Sequence, residues 1–200
     1  IVFLIELSSI SYKTGAFFYS YGLIPSVFLG KLQLSQDMYI IPTYFTVVTS
    51  MFVHGGFMHL LGNMLYLWIF ADNIEEDLGK IKFLVFYLLC GIGAAMAQVF
   101  SNTDSQIPMV GASGAIGGVL GAYLINHPTA KVLVLIPFGF FSQIIKIKAL
   151  YVLGFWFILQ FISSGGGVAY AAHIGGFISG LVLILFFNKK KVKPKNEKGP

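Results

Sequence analysis

Apolar residues in this chain come in long runs parted by short polar or glycine-rich joints. Ile1–Leu7 reads as the last turns of a spanning helix. It is followed by Ser8–Gly56, a stretch rich in Ser, Tyr, Gly and Pro that is predicted to be a structured interfacial loop. Phe57–Ala71 is a strongly apolar helix ending in an acidic turn, Asp72–Asp77, and Ile81–Phe100 is a near-continuous span. Ser113–Asn126 is a short glycine-spaced helix that stops at His127-Pro128. Ala130–Lys148 mixes lysines with apolar residues and is expected to lie along a membrane face. Ala149–Ile162 and Val168–Phe187 are two further helices around a turn at Ser163–Gly167, and Asn188–Pro200 is a lysine-rich tail expected to be disordered.

Composition turns this pattern into a class. The 200 residues are 56% hydrophobic and 10% charged, with a mean hydropathy of +0.81, whereas soluble domains carry about 25% charged residues. The expected fold is therefore all-α: a polytopic membrane bundle of six transmembrane helices, the first truncated in this chain, which does not begin with Met. Residues 1–187 form the membrane core and 188–200 the tail. The basic residues are all lysines at segment ends and in the tail, which argues against nucleic acid and leaves the lipid bilayer as the surrounding partner. With alternating loops, Lys80, Lys82, Lys131, Lys146, Lys148 and the tail lysines share one side, and only Lys13 and Lys31 the other. The positive side is expected to be cytoplasmic, as in a bacterial plasma membrane. The long first loop and Ser101–Gly111 then face outward.

Four polar positions need an account. Ser113 lies between Gly111 and Gly114 at a helix start, where unpaired N–H groups and the positive end of the helix dipole can stabilise an oxyanion. His59 and Asn63 stand four apart, on one side of a helix, with His54 just before them. His173 lies about one and a half turns into the last helix, ahead of Gly176 and Gly180. In the alternating topology all these segments start from the outer side, so their polar residues reach one shallow depth. Ser113–Asn126 would be about 21 Å long, short of a hydrocarbon core of about 30 Å. Its Ser113 end is thus expected to sit below the outer surface, against a water-accessible cavity.

Simpler readings exist for each residue. A single membrane histidine often only hydrogen-bonds a neighbouring helix, which suits His54, and the glycine pairs Gly114/Gly118, Gly117/Gly121 and Gly176/Gly180 suit close helix packing. A metal site lacks a ligand set, since Asn is a poor transition-metal ligand and no carboxylate joins His59 within the membrane; no metal or cofactor is expected. The same lack of a buried carboxylate leaves no third member for a triad, so a nucleophile would work as a Ser113–His173 dyad. The Ser113 N–H, His59 and Asn63 would be the oxyanion donors. A small transporter is disfavoured for want of a membrane carboxylate. A non-cutting binder of membrane helices remains the rival.

The set His54-x4-His59-x3-Asn63, Gly111-Ala112-Ser113-Gly114 and Ala172-His173-x2-Gly176-x3-Gly180 resembles the rhomboid family of intramembrane serine proteases over about residues 44–187. The resemblance implies Ser113 as nucleophile, His173 as general base, His59 and Asn63 as oxyanion partners and His54 as support for the outer loop or oxyanion region. It also implies single-span membrane proteins as substrates. Two departures stand out: the first loop has no Trp-Arg pair, and Gly117 replaces an aromatic that often stacks on the catalytic histidine. Something else must orient His173. The fifth helix, with Phe155 and Trp156, and the Ser163–Gly167 turn are candidates for a mobile gate, although lipid-facing anchoring is the expected role of both aromatics.

Overall fold

The structure, a computed structural model, describes residues 2–138, 141–162 and 168–188. Its longer helices are α1 (Val2–Tyr21), α2 (Phe57–Leu78), α3 (Lys80–Ser101), α4 (Ser113–Asn126), α5 (Ala149–Ile162) and α6 (Tyr170–Phe187). The expected helical membrane bundle is thus observed. By length and composition, α3 and α6 can each cross a bilayer, with mean hydropathies of 2.0 and 1.9. Thr43–Phe52 together with α2 makes a third candidate span, bent by 78° at its break.

The core is built around α4. Every residue from Gly114 to Tyr123 is buried, which explains why this helix is apolar on all sides instead of along one stripe. Small residues bring its neighbours to backbone contact. A methyl group on Gly176 of α6 would land on the Gly114 carbonyl oxygen, and one on Gly180 would land on that of Gly118. Likewise, a methyl on Gly121 would strike the Phe177 carbonyl, and one on Gly118 the Cys90 side chain of α3. The pairs assigned to close packing are packed in this way. Because no side chain separates α4 from α6, their ends that bear Ser113 and His173 are held together.

Several local expectations are corrected. The first helix does not stop at Leu7 but runs to Tyr21, so the first loop is shorter than expected. The acids of 72–77 are not a turn: they continue α2 to Leu78, and Gly79, with φ +82°, makes the break into α3. Residues 131–148, expected to lie along a membrane face within an all-α fold, form an antiparallel hairpin of β1 (Lys131–Phe138) and β2 (Phe141–Lys148). Lys131 pairs with Lys148 and Leu133 with Lys146 on its exposed face, while Val132 is buried against the bundle. The β-branched content, Val132, Val134, Ile136, Ile144, Ile145 and Ile147, favours this pairing. Asn188, expected to open the tail, is tied to Asn126 by two amide hydrogen bonds of 2.9 and 3.0 Å. Asn126 and His127 both reach Asp77 of α2, at 2.7 and 2.8 Å. The Ser163–Gly167 turn and residues 189–200 lie outside the described residues.

The first loop clasps the segment that leads to Ser113. Leu23 and Met109 exchange backbone hydrogen bonds of 3.0 and 2.8 Å, Ser26 N–H donates to Ser105 O at 3.0 Å, and Gly111 N–H donates to Ser50 O at 2.8 Å. Lys31 Nζ meets Asp104 Oδ1 at 2.9 Å. This hydrogen bond and charge hold the exposed Asp104 carboxyl below its ordinary range, so the contact persists at neutral pH and is lost in acid.

The glycine seam yields a stability test. Gly180→Ala is expected to destabilise by about 1–3 kcal/mol, as overpacking does, and Gly176→Ala by a similar amount. Gly154→Ala on α5, where an added methyl meets nothing within 4 Å, should be neutral or stabilising. Thermal unfolding in one detergent compares the three.

Candidate active site

Ser113 and His173 come from different helices, sixty residues apart, and meet. The Ser113 hydroxyl lies 2.8 Å from His173 Nε2. On the far side of the ring, His173 Nδ1 lies 2.8 Å from Gln160 Oε1, and Gln160 Nε2 donates to the Trp156 carbonyl at 2.7 Å. This chain fixes proton positions. The Trp156 carbonyl only accepts, so the Gln160 amide must present its NH₂ there and its oxygen to the imidazole. Nδ1 therefore carries the ring proton, and Nε2 is left with a lone pair facing the serine. That is the tautomer a general base requires.

Trp156 adds a planar contact. Its ring centroid is 5.8 Å from that of His173 at an interplanar angle of 33°, and Tyr170 approaches the imidazole edge-on at 6.3 Å. The stacking partner absent at Gly117 is thus supplied from α5. A methyl on Gly117 would come 3.0 Å from the His173 carbonyl and 3.7 Å from the Trp156 ring, so the glycine makes room for this arrangement. Trp156 lines the cavity, contrary to the lipid-facing role expected of it; Phe155 beside it is exposed, as that role requires.

The opposite wall comes from α2. Gly55 N–H donates to His59 Nδ1 at 3.3 Å, so His59 holds its proton on Nε2. That nitrogen points to Gly111: a methyl built there would sit 2.7 Å from His59 Nε2 and 3.5 Å from Asn63 Nδ2. Two donors thus converge beside the peptide that leads into Ser113. Gly111 has φ +117°, a conformation only glycine adopts readily, so both backbone and space require it. Asn63 is buried, and its Nδ2 has no hydrogen-bond partner among the described residues. A buried donor left open costs stability, and this one belongs to a residue that lines the cavity. The N–H groups of Ser113, Gly114 and Ala115 precede the first intrahelical bond of α4, from Ile116 N–H to Ala112 O. Ser113, His173, His59 and Asn63 all line one cavity of about 660 Å³, with Ser113 and His173 partly exposed and His59 open to it. The pair is not sealed in a dry interior.

His54 corrects the expectation of a ring bonded to a neighbouring helix. Its two ring nitrogens have no hydrogen-bond partner among the described residues, and its imidazole rests edge-on against His59 at 5.4 Å. The bond to another helix is made by its backbone N–H, which donates to Glu6 Oε2 at 3.0 Å. Glu6 is 2% exposed, so a buried carboxylate does exist, on α1. It braces the segment ahead of His59 and is not the third member of a triad; Gln160 occupies the place beyond His173.

Residues 42–190 match the Rhomboid domain. The chain belongs to the rhomboid family. It is 29% identical over 178 residues to Rhomboid protein 1, mitochondrial, of Saccharomyces cerevisiae, covering 86% of this chain and 49% of that protein. It is 36% identical over 138 residues to Presenilin-associated rhomboid-like protein A, mitochondrial, of Danio rerio, covering 68% and 35% of the two. With Rhomboid protease GluP of Bacillus subtilis it shares 36% over 137 residues, 68% of this chain and 25% of that one. This rhomboid thus spans half or less of the length of these relatives. Their names include mitochondrial proteins as well as a bacterial protease, so family membership makes the chain a membrane protein without selecting the bacterial plasma membrane.

Gln160 and Glu6 escaped the sequence reading of this rhomboid. Each had a signal: Gln160 is the one amide in the apolar run Ala149–Ile162, and Glu6 the one charge in Ile1–Leu7. Asn63→Ala should lower reactivity with a fluorophosphonate by about 10²–10³-fold, the usual loss for one oxyanion donor, without lowering thermal stability, because no hydrogen bond is lost. Labelling rates and melting curves of the same preparation check both halves.

Proposed function

We propose that this rhomboid is an intramembrane serine endopeptidase that cuts the membrane segments of single-span proteins by a Ser113–His173 dyad. The observation that carries the reading is the 2.8 Å contact between the Ser113 hydroxyl and a His173 Nε2 whose lone pair is set by the bond on its other nitrogen.

The steps follow from these positions. Ser113 Oγ attacks the scissile carbonyl carbon as its proton passes to His173 Nε2, and the carbonyl π electrons move onto oxygen. His59 Nε2–H, Asn63 Nδ2–H and the Ser113 N–H stabilise that oxyanion. As the intermediate collapses, the C–N bond breaks and His173 returns the proton to the leaving amine, giving an acyl-enzyme on Ser113. Water from the cavity then adds to the ester with His173 again as base, and Ser113 is regenerated with its proton. A helical peptide bond is sterically guarded, so the substrate must be locally extended before attack.

The lysine asymmetry supports an orientation with the hairpin and tail lysines on the cytoplasmic side and the cavity opening outward. A bacterial plasma membrane is one setting that suits it.

Fluorophosphonate labelling of the purified protein tests the dyad. Wild type should be modified at Ser113, while Ser113→Ala and His173→Ala should lose labelling. Equal labelling of all three, or none in any of them, would instead favour a rhomboid-like protein that holds client helices without cutting them.

A further inference from the structure

The structure assigns Gln160 as a positioning residue that sets the tautomer of His173; the assignment rests on the dyad reading above. Unlike Ser113 and His173, Gln160 does not line the cavity and cannot touch a substrate there. It is 8% exposed, and both ends of its amide are engaged. A neutral imidazole divides between two tautomers, and only the one protonated on Nδ1 leaves Nε2 able to take the serine proton. Of the described partners of the ring, Gln160 Oε1 alone sits on the Nδ1 side, at 2.8 Å. The Ser113 hydroxyl cannot make the choice, because it donates or accepts with equal ease.

The amide is itself restrained. Gln160 and Trp156 are four residues apart on one side of α5, and Gln160 Nε2 is bonded to the Trp156 carbonyl while the Trp156 ring covers the imidazole face. One turn of α5 therefore supplies both the plane and the proton position of the base. As the imidazole belongs to α6, the base is prepared only while that turn of α5 is seated against it. A neutral amide also differs from a carboxylate at this place: it orients the ring without adding a second buried charge, and it gains no charge attraction when the imidazolium forms.

The test uses the full chain with ¹⁵N-labelled histidine, in wild type, Gln160→Leu and Gln160→Glu, with His173→Ala to identify the His173 signals. Wild type should show His173 protonated on Nδ1. Gln160→Leu, which keeps bulk and removes the acceptor, should shift it towards the Nε2–H form and slow fluorophosphonate labelling by tenfold or more, since a wrong tautomer costs up to about 10⁴-fold. Gln160→Glu, which keeps an acceptor oxygen for Nδ1 but loses the N–H that meets the Trp156 carbonyl, should retain the Nδ1–H form and label faster than Gln160→Leu. Unchanged tautomer and labelling in Gln160→Leu would overturn the role of Gln160 alone. A folded Gln160→Glu as slow as Gln160→Leu would do the same. Labelling of His173→Ala at the wild-type rate would overturn the dyad itself, and the role of Gln160 with it.

Discussion

The contact on which this structure depends is the backbone-to-backbone seam between α4 and α6. Gly114 and Gly118 leave their carbonyl oxygens where any side chain on Gly176 or Gly180 would collide. In a bilayer, where lipid tails are as apolar as leucine, helices gain little by merely hiding apolar surface from one another. Close dispersion contact between small residues is the available attraction. The seam turns that attraction into precision: once two helices touch along their backbones, side chains at their shared end cannot drift apart. Ser113 and His173 lie at that end.

Around this fixed pair the other elements each supply one restraint. α2 brings two ring and amide donors to the side of Gly111, α5 brings the acceptor and the indole that hold the imidazole, and the first loop pins the segment ahead of Ser113 through Ser50 and Leu23. Glu6 of α1 secures the backbone before His59. The opposite end is closed separately, by Asp77, Asn126, His127 and Asn188, which join α2, α4 and the end of α6. Polar groups are thus gathered at the two ends of the bundle, and between them the core is packed by small, aliphatic and aromatic residues, Phe70, Phe86 and Phe177 among them. The cavity can hold water without unravelling the helices beneath it.

Of the buried polar atoms without a partner among the described residues, Asn63 Nδ2 belongs to a residue that lines the cavity. It lies beside the same glycine, Gly111, as the protonated Nε2 of His59. A fold optimised only for stability would pair or replace such a donor. Its persistence next to a hydroxyl–imidazole pair is what an oxyanion site needs: donors held in place before charge develops, so that no reorganisation is required when it does.

Much of this was legible in the chain alone. Long apolar runs fixed the membrane class because a bilayer demands them, and the bounds of α4 and α5 could be read from Ser113, Pro128 and the lysines before Ala149. Ser113 and His173 stood out because a serine flanked by glycines and an imidazole are rare in such runs. Tertiary structure alone decided what depends on facing across helices. The partner of His173 is an amide on α5 that no spacing relates to it, and Trp156 turns inward because α6 offers it an imidazole to cover. The length of α1 and the acidic end of α2 were misread because polar residues look like loop when the helix that shelters or solvates them is unknown. The hairpin at 131–148 was missed for a similar reason: its pairing is chosen by what lies on each face, and only the bundle supplies the buried one.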